Sequence, residues 1–278
     1  MRSILRHVRL AALAAALCLG MTPTVGLAKT PSPPVPPIPD ASALDPQEAK
    51  DSALVDSAMA TAGKSGIVAI ADSIPALQQV LERAPRDYGR TDEKDGEIRY
   101  RARGLADFLL FSTASEALVK GHATGARKVV WVEDIYPIAG LLVGVYFNEI
   151  GQSDMALPAL QTALALEPDN SQLVTETGMA LIKLGRGPEA LPLYDKTLAL
   201  DILALPDLDR ARVLRAKGFV LTDMNRLDEA EQAYKDSLKL QPDHAGAKSE
   251  LAYIVHLRAG GAAGPTVMTT IDKARTGQ

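Results

Sequence analysis

The sequence predicts an all-α fold: a helix–turn–helix repeat solenoid preceded by an irregular helical part. Three observations predict it. Glycine and alanine recur in phase, as Gly144 with Ala156, Gly178 with Ala190, and Gly218 with Ala230. Apolar residues over much of residues 67–257 fall at the three-to-four-residue spacing of helices with one buried face. The chain has one cysteine, Cys18, so helix packing rather than an internal disulfide must hold it.

Composition narrows the function. The 278 residues are 47% hydrophobic and 23% charged, with a net charge of −4, which is globular and excludes wholesale disorder. Lys and Arg form no cluster and aromatics are 4% of the chain, so the basic face that a nucleic acid needs is missing. One apolar run, residues 10–20, reaches toward membrane length, which excludes a polytopic membrane protein.

The elements follow in order. Residues 1–28 carry Arg2, Arg6 and Arg9, then the apolar core LAALAAALCL, then small residues ending at Ala28. That is the layout of a secretory signal peptide, and cleavage after Ala28 predicts a periplasmic, cysteine-free mature chain. An uncleaved anchor is the alternative. Leu17 before Cys18 does not fit a lipoprotein site. Residues 29–46 hold seven prolines and predict an extended linker.

Residues 47–133 predict an irregular helical region. Helical spacing is present at 67–83, a charged loop is expected at 86–96, and helical spacing returns at 97–120. Residues 129–132, Val-Val-Trp-Val, suit either a strand or a helix lead-in. The segment 73–87 aligns with 156–170, which suggests half of a degenerate repeat.

Residues 134–257 hold the repeats, at 137–170, 171–204 and 211–244, with a capping helix after them. Gly144, Gly178 and Gly218 allow two helices to approach closely. Gly151, Gly185 and Asn225 stand where a left-handed turn residue is needed. Pro168 and Pro242 stop the second helix of the outer units, while Ile202 stands where the middle unit lacks its proline. Six extra residues near 201–209 separate the second unit from the third. Residues 258–278 predict a flexible tail behind Gly260, Gly261 and Gly264.

This pattern resembles the tetratricopeptide repeat family. Phe147, Leu181 and Leu221 fill its large inner place, and Leu160, Tyr194 and Tyr234 its place in the second helix. Gly140 and Val174 depart from the usual aromatic near the unit start. The resemblance implies a stacked solenoid with a concave side that takes a protein or peptide segment, and no cofactor or metal. The places it turns to the groove hold Leu141, Val145, Met179, Lys183, Arg212, Arg215, Phe219 and Tyr253, an apolar ladder with two arginines at one end. The family's carboxylate clamp is not expected, because Leu141 and Val145 replace its Lys and Asn.

Other chemistry is weak. Residues 58–65, AMATAGKS, fit a loosened phosphate loop, but its first glycine is missing and no apolar strand precedes it. His122, His244 and His256 lack metal-ligand spacing. Asp134 before Pro137 suggests a helix cap rather than an acid/base partner for Glu133. No G-x-S-x-G elbow occurs. The reading is a non-enzymatic adaptor or scaffold. The alternatives are a structural envelope subunit held by its convex face, through lysines such as Lys196 and Lys235, and an enzyme with its site in 64–133.

Overall fold

The computed structural model describes residues 39–102, 107–109, 111–113, 128–201 and 205–261. The expected leader, Cys18, most of the linker, His122, Ile202 and nearly all of the tail lie outside the described residues.

Asp45 opens the first helix, α1 (Pro46–Ser65). Its side chain accepts from the amides of Gln47 and Glu48, and Glu48 answers the Asp45 amide, a reciprocal cap with Pro46 at the first position. Residues 58–65 are therefore helical, and the loosened phosphate loop does not exist as a loop. A 3-10 segment, Ile67–Ser73, leads into α2 (Ile74–Glu82), so the expected continuous helix over 67–83 is broken in two. Pro75 at the second position of α2 cannot donate to a preceding turn.

The second half of the expected loop at 86–96 and the start of the helical span expected over 97–120 give way to a hairpin, while residues 107–109 and 111–113 are helical as expected. β1 (Thr91–Lys94) pairs antiparallel with β2 (Glu97–Arg101) across Asp95-Gly96, whose φ angles are 53° and 80°. That is the two-residue turn that Asp-Gly favours. β3 (Val129–Val132) joins β2 in parallel, Ile98 opposite Val129 and Tyr100 opposite Trp131. The ambiguous segment 129–132 is thus a strand. Asp40 donates its amide to the Trp131 carbonyl at 2.6 Å, tying the start of the described chain to the far edge of β3. On this sheet Phe108 stacks on Trp131 and Phe111 on Tyr100, a small aromatic core.

The remaining helices are α3 (Ile135–Glu149), α4 (Ser153–Leu166), α5 (Ser171–Lys183), α6 (Ala190–Leu198), α7 (Asp207–Asp223), α8 (Leu227–Leu240) and α9 (Ala245–Arg258). They form three antiparallel pairs and a last helix. Each pair turns identically. Gly151, Gly185 and Asn225 take φ of 78°, 72° and 57°. The next amide then returns to the first helix, Gln152 to Phe147, Arg186 to Leu181 and Arg226 to Leu221, at 2.7–2.8 Å. Ala156, Ala190 and Ala230 are fully buried at the crossings. A methyl on Gly144, Gly178 or Gly218 would strike Leu160, Tyr194 or Tyr234 respectively, which is why these places are glycine.

α2 packs on α3 as α4 packs on α5. This contact explains the departure at Gly140: an added Cβ would lie 2.6 Å from Ala163 Cβ and 3.2 Å from a Leu81 methyl. The six-residue insertion has a fixed anchor as well. Leu205 is buried, and the Arg210 guanidinium donates to the carbonyls of Leu198 and Leu200 at 2.7 and 2.6 Å, closing the end of the second unit.

Candidate functional site

First helices touch first helices from α3 through α5 and α7 to α9, whereas the second helices of successive units scarcely meet. The stack therefore curves with its first helices inside, and the groove places lie on that inner layer.

The structure distributes the eight expected groove residues unequally. Leu141, Val145, Met179 and Tyr253 are half-buried, one face open. Leu141 packs against the main core, and the Tyr253 ring lies parallel to His256 at 6.4 Å. Phe219 is 8% exposed and belongs to the packing rather than to an open surface. Lys183 is exposed, with its Nζ donating to the Asn148 carbonyl at 2.6 Å across α3 and α5. Arg212 is exposed and donates to Asp209 at 2.6 Å and to the Ser171 hydroxyl at 3.2 Å.

Arg215 differs from these cations. It is half-buried and donates to the neutral Gln241 Oε1 at 2.6 Å. Burial, and then the neighbouring charge of Arg212, push its guanidinium below the usual range. His244 closes this corner. Its Nδ1 accepts from the Ala247 amide at 3.1 Å, capping α9, and burial followed by Arg215 lowers its basicity, so the ring stays neutral at pH 7.

The inner layer is also more polar than the expected ladder. Asn148 is 3% exposed and donates to the Glu176 carbonyl at 3.2 Å and to its carboxyl at 3.4 Å. Burial raises the Glu176 carboxyl, against the pull of Asn148 and Lys183. Sequence reasoning missed two polar groups: Asn148 with Glu176 on the inner helices, and Gln241 with His244 in the turn before α9. The signal for the first was a polar residue on the inner face of an apolar helix, which repeat phase alone does not rank.

Elsewhere, a polar cleft of about 150 Å³ lies between residues 40–43 and the hairpin. Its cations are engaged: Lys128 with Glu97 at 2.8 Å, and Arg99 with Glu48 at 2.7 Å.

Residues 173–243 match the family model for the tetratricopeptide repeat. The array is a helix–turn–helix repeat solenoid of the tetratricopeptide-like kind. The matched span runs from the second unit through the third, and the first unit repeats the same turn bonds just outside it. Among solved structures, Pseudomonas aeruginosa pilF is 15% identical at a TM-score of 0.50, over 78% of this chain and 72% of that one. A MamA structure from MSR-1 is 18% identical at 0.43, over 76% and 87%. The first TPR domain of human RPAP3 is 21% identical at 0.40, over 45% and 93%. At these identities the likeness shows the fold alone. No curated protein matches the chain.

Proposed function

We propose that this chain is an exported, non-enzymatic adaptor or scaffold whose inner helix face holds a segment of a protein partner, acidic at the end that meets Arg215. The carrying observation is Arg215 itself. A guanidinium half removed from water, bonded to a neutral amide and set beside a second arginine, is electrostatically under-compensated. A carboxylate arriving there gains a charge-assisted, two-pronged partner. The half-buried Val145, Met179 and Tyr253 supply apolar anchors along the same face.

The test uses the full chain and synthetic peptides of one length, acidic-amphipathic, neutral-amphipathic and basic-amphipathic, read by fluorescence anisotropy at two salt concentrations. Acidic peptides should bind best, weaken with salt, and lose at least tenfold in affinity to Arg215→Glu with Tyr253→Glu. Equal binding of all three peptides, or no loss in the double variant, sinks the reading. Phe219 is a poor probe, because a charge there strikes the packing. Export is tested separately, by whether the N-terminus of the protein recovered from cells begins at Lys29.

A further inference from the structure

Among the described residues, three helices open on a capping side chain: Asp45 caps α1, Asn170 caps α5 and His244 caps α9. Asp134, expected as the cap of α3, makes none. The α5 and α9 caps stand at the same place of the repeat, after Pro168-Asp169 and after Pro242-Asp243. Their chemistry differs. Asn170 Oδ1 accepts from the amides of Gln172 and Leu173 at 3.0 and 3.1 Å, and an amide oxygen keeps its lone pairs across the physiological pH range. His244 accepts from the Ala247 amide through Nδ1 at 3.1 Å, which it can do only while that nitrogen carries no proton.

The local sequence is fitted to the ring. Gly246 occupies the second position of α9, where α5 has Gln172. A Cβ on Gly246 would lie 3.1 Å from His244 Cε1 and 3.5 Å from Nδ1, so the glycine leaves the space that the imidazole fills. Glycine is a poor helix former, so the first turn of α9 leans on its cap more than that of α5 does.

The charges around the ring come from each packed element. From α7, Arg215 is the neighbouring cation, held by Gln241 Oε1 at 2.6 Å in the turn where the His244 amide donates to the Gln241 carbonyl at 3.2 Å. Arg212, behind it, is matched by Asp209 at 2.6 Å. From the end of α8, Lys239 pairs with Asp236 at 2.7 Å. From the turn itself, Asp243 pairs with Lys248 of α9 at 3.5 Å. Among the described residues no acid pairs with the ring. A proton on Nδ1 therefore meets three penalties. It takes the acceptor from the first turn, sets a cation at the positive end of the α9 dipole, and adds a like charge beside Arg215.

We propose that His244 is an acid-released cap: the first turn of α9 is held on the third repeat while the ring is neutral and loosens when the ring takes a proton. α9 is the last inner helix and carries Tyr253, so the cap sets how firmly the inner layer ends in mild acid. Burial first, and then Arg215, hold the ring below its usual 6.5. The folded state thus prefers the neutral ring. Its stabilisation is whole above pH 6.5 and is lost as the pH falls through the lower folded value.

The experiment follows amide exchange of the full chain between about pH 7.5 and 5, corrected for its intrinsic pH dependence. Amides of the first half of α9 should open about fivefold more at the acid end, while those of α5, capped by Asn170, stay unchanged. His244→Asn copies the α5 cap and should abolish the response while keeping α9 protected. His256→Gln, at the other histidine of α9, should leave the response in place. In the wild type, the imidazole signal that contacts the Ala247 amide should titrate below 6.5 by NMR, a reading that needs no variant to fold. A flat wild-type profile, an equal response in α5, a response that survives in His244→Asn, or a His244 midpoint at or above 6.5 overturns the cap.

Discussion

The repeat array and the block ahead of it are held together by different physics. The large buried side chains of the array are apolar or tyrosine, several packed against a glycine, as Tyr194 is against Gly178. Its ion pairs, such as Arg186–Glu189 and Arg226–Glu229, bridge three residues on the surface and contribute little. The block is held by charge. Glu48 of α1, Arg99 and Arg101 of β2 and Asp92 of β1 form a chain of ion pairs, with the Arg99, Arg101 and Glu48 side chains 11%, 5% and 10% exposed. The two regions therefore shift carboxyls in opposite directions: burial raises Glu176 in the array, whereas the block's arginines hold Asp92 down. Burial alone would raise the Asp92 carboxyl, but hydrogen bonds from Arg99 and Arg101 overturn that and hold it below its usual value. Its contribution is present above about pH 4 and is lost in stronger acid.

The sharpest way to break this contrast is Arg99→Met. It removes the cation that Glu48 and Asp92 share, taking that partner from the partly buried Glu48 and leaving Asp92 to Arg101, at a cost of about 3 kcal/mol within the block. Hydrogen exchange should show β1 and β2 opening while α5 to α8 keep their protection. Uniform loss across the chain would mean the two regions unfold as one. Gly140→Ala attacks the array from its own side. Its new methyl meets Ala163 Cβ, which cannot rotate away, so α3 and α4 must separate, at about 2–3 kcal/mol. Thermal unfolding should show that loss unchanged between pH 5 and 8, since no charge is involved.

The same contrast explains what the sequence made legible. Repeat boundaries were readable because steric rules set them locally: a left-handed φ at Gly151, Gly185 and Asn225, and a missing Cβ at Gly144, Gly178 and Gly218. The sheet was not, because Ile98 finds Val129 thirty-one residues away and the buried positions of β2 carry arginines, which hide the strand pattern. The one local signal, Asp95-Gly96, was absorbed into a charged loop. Repeat phase proposes groove positions, but the burial of Phe219 and the polar contact of Asn148 with Glu176 depend on the neighbouring helix.

A smaller effect tests the turns. Asn225 is the one inter-helix turn residue of the three that is not glycine, and it holds φ of 57°. Asn225→Ala should cost about 1 kcal/mol, because alanine pays the full left-handed penalty without a polar side chain to offset it. Asn225→Gly should be neutral or slightly stabilising. A loss on Asn225→Gly equal to that on Asn225→Ala would show that the side chain matters rather than the backbone angle.

The smallest expected effect is the most discriminating for the array. The Tyr194 hydroxyl is buried with no hydrogen-bond partner among the described residues, and burial, then Glu176, push it further from ionising. A hydroxyl stripped of water and left unpaired contributes nothing to offset its desolvation. Tyr194→Phe should therefore hold stability within about 0.5 kcal/mol or raise it. That hydroxyl is also what a Gly178 methyl would strike first, at 1.8 Å, with the ring carbon behind it at 2.5 Å. Removing the hydroxyl gives the methyl part of the room it needs, so Gly178→Ala should cost clearly less in the Tyr194→Phe background than alone. A double-mutant cycle measures that difference. Strict additivity would mean that the helices yield rather than the ring, and that the close approach of α5 and α6 is softer than the fully buried tyrosine implies.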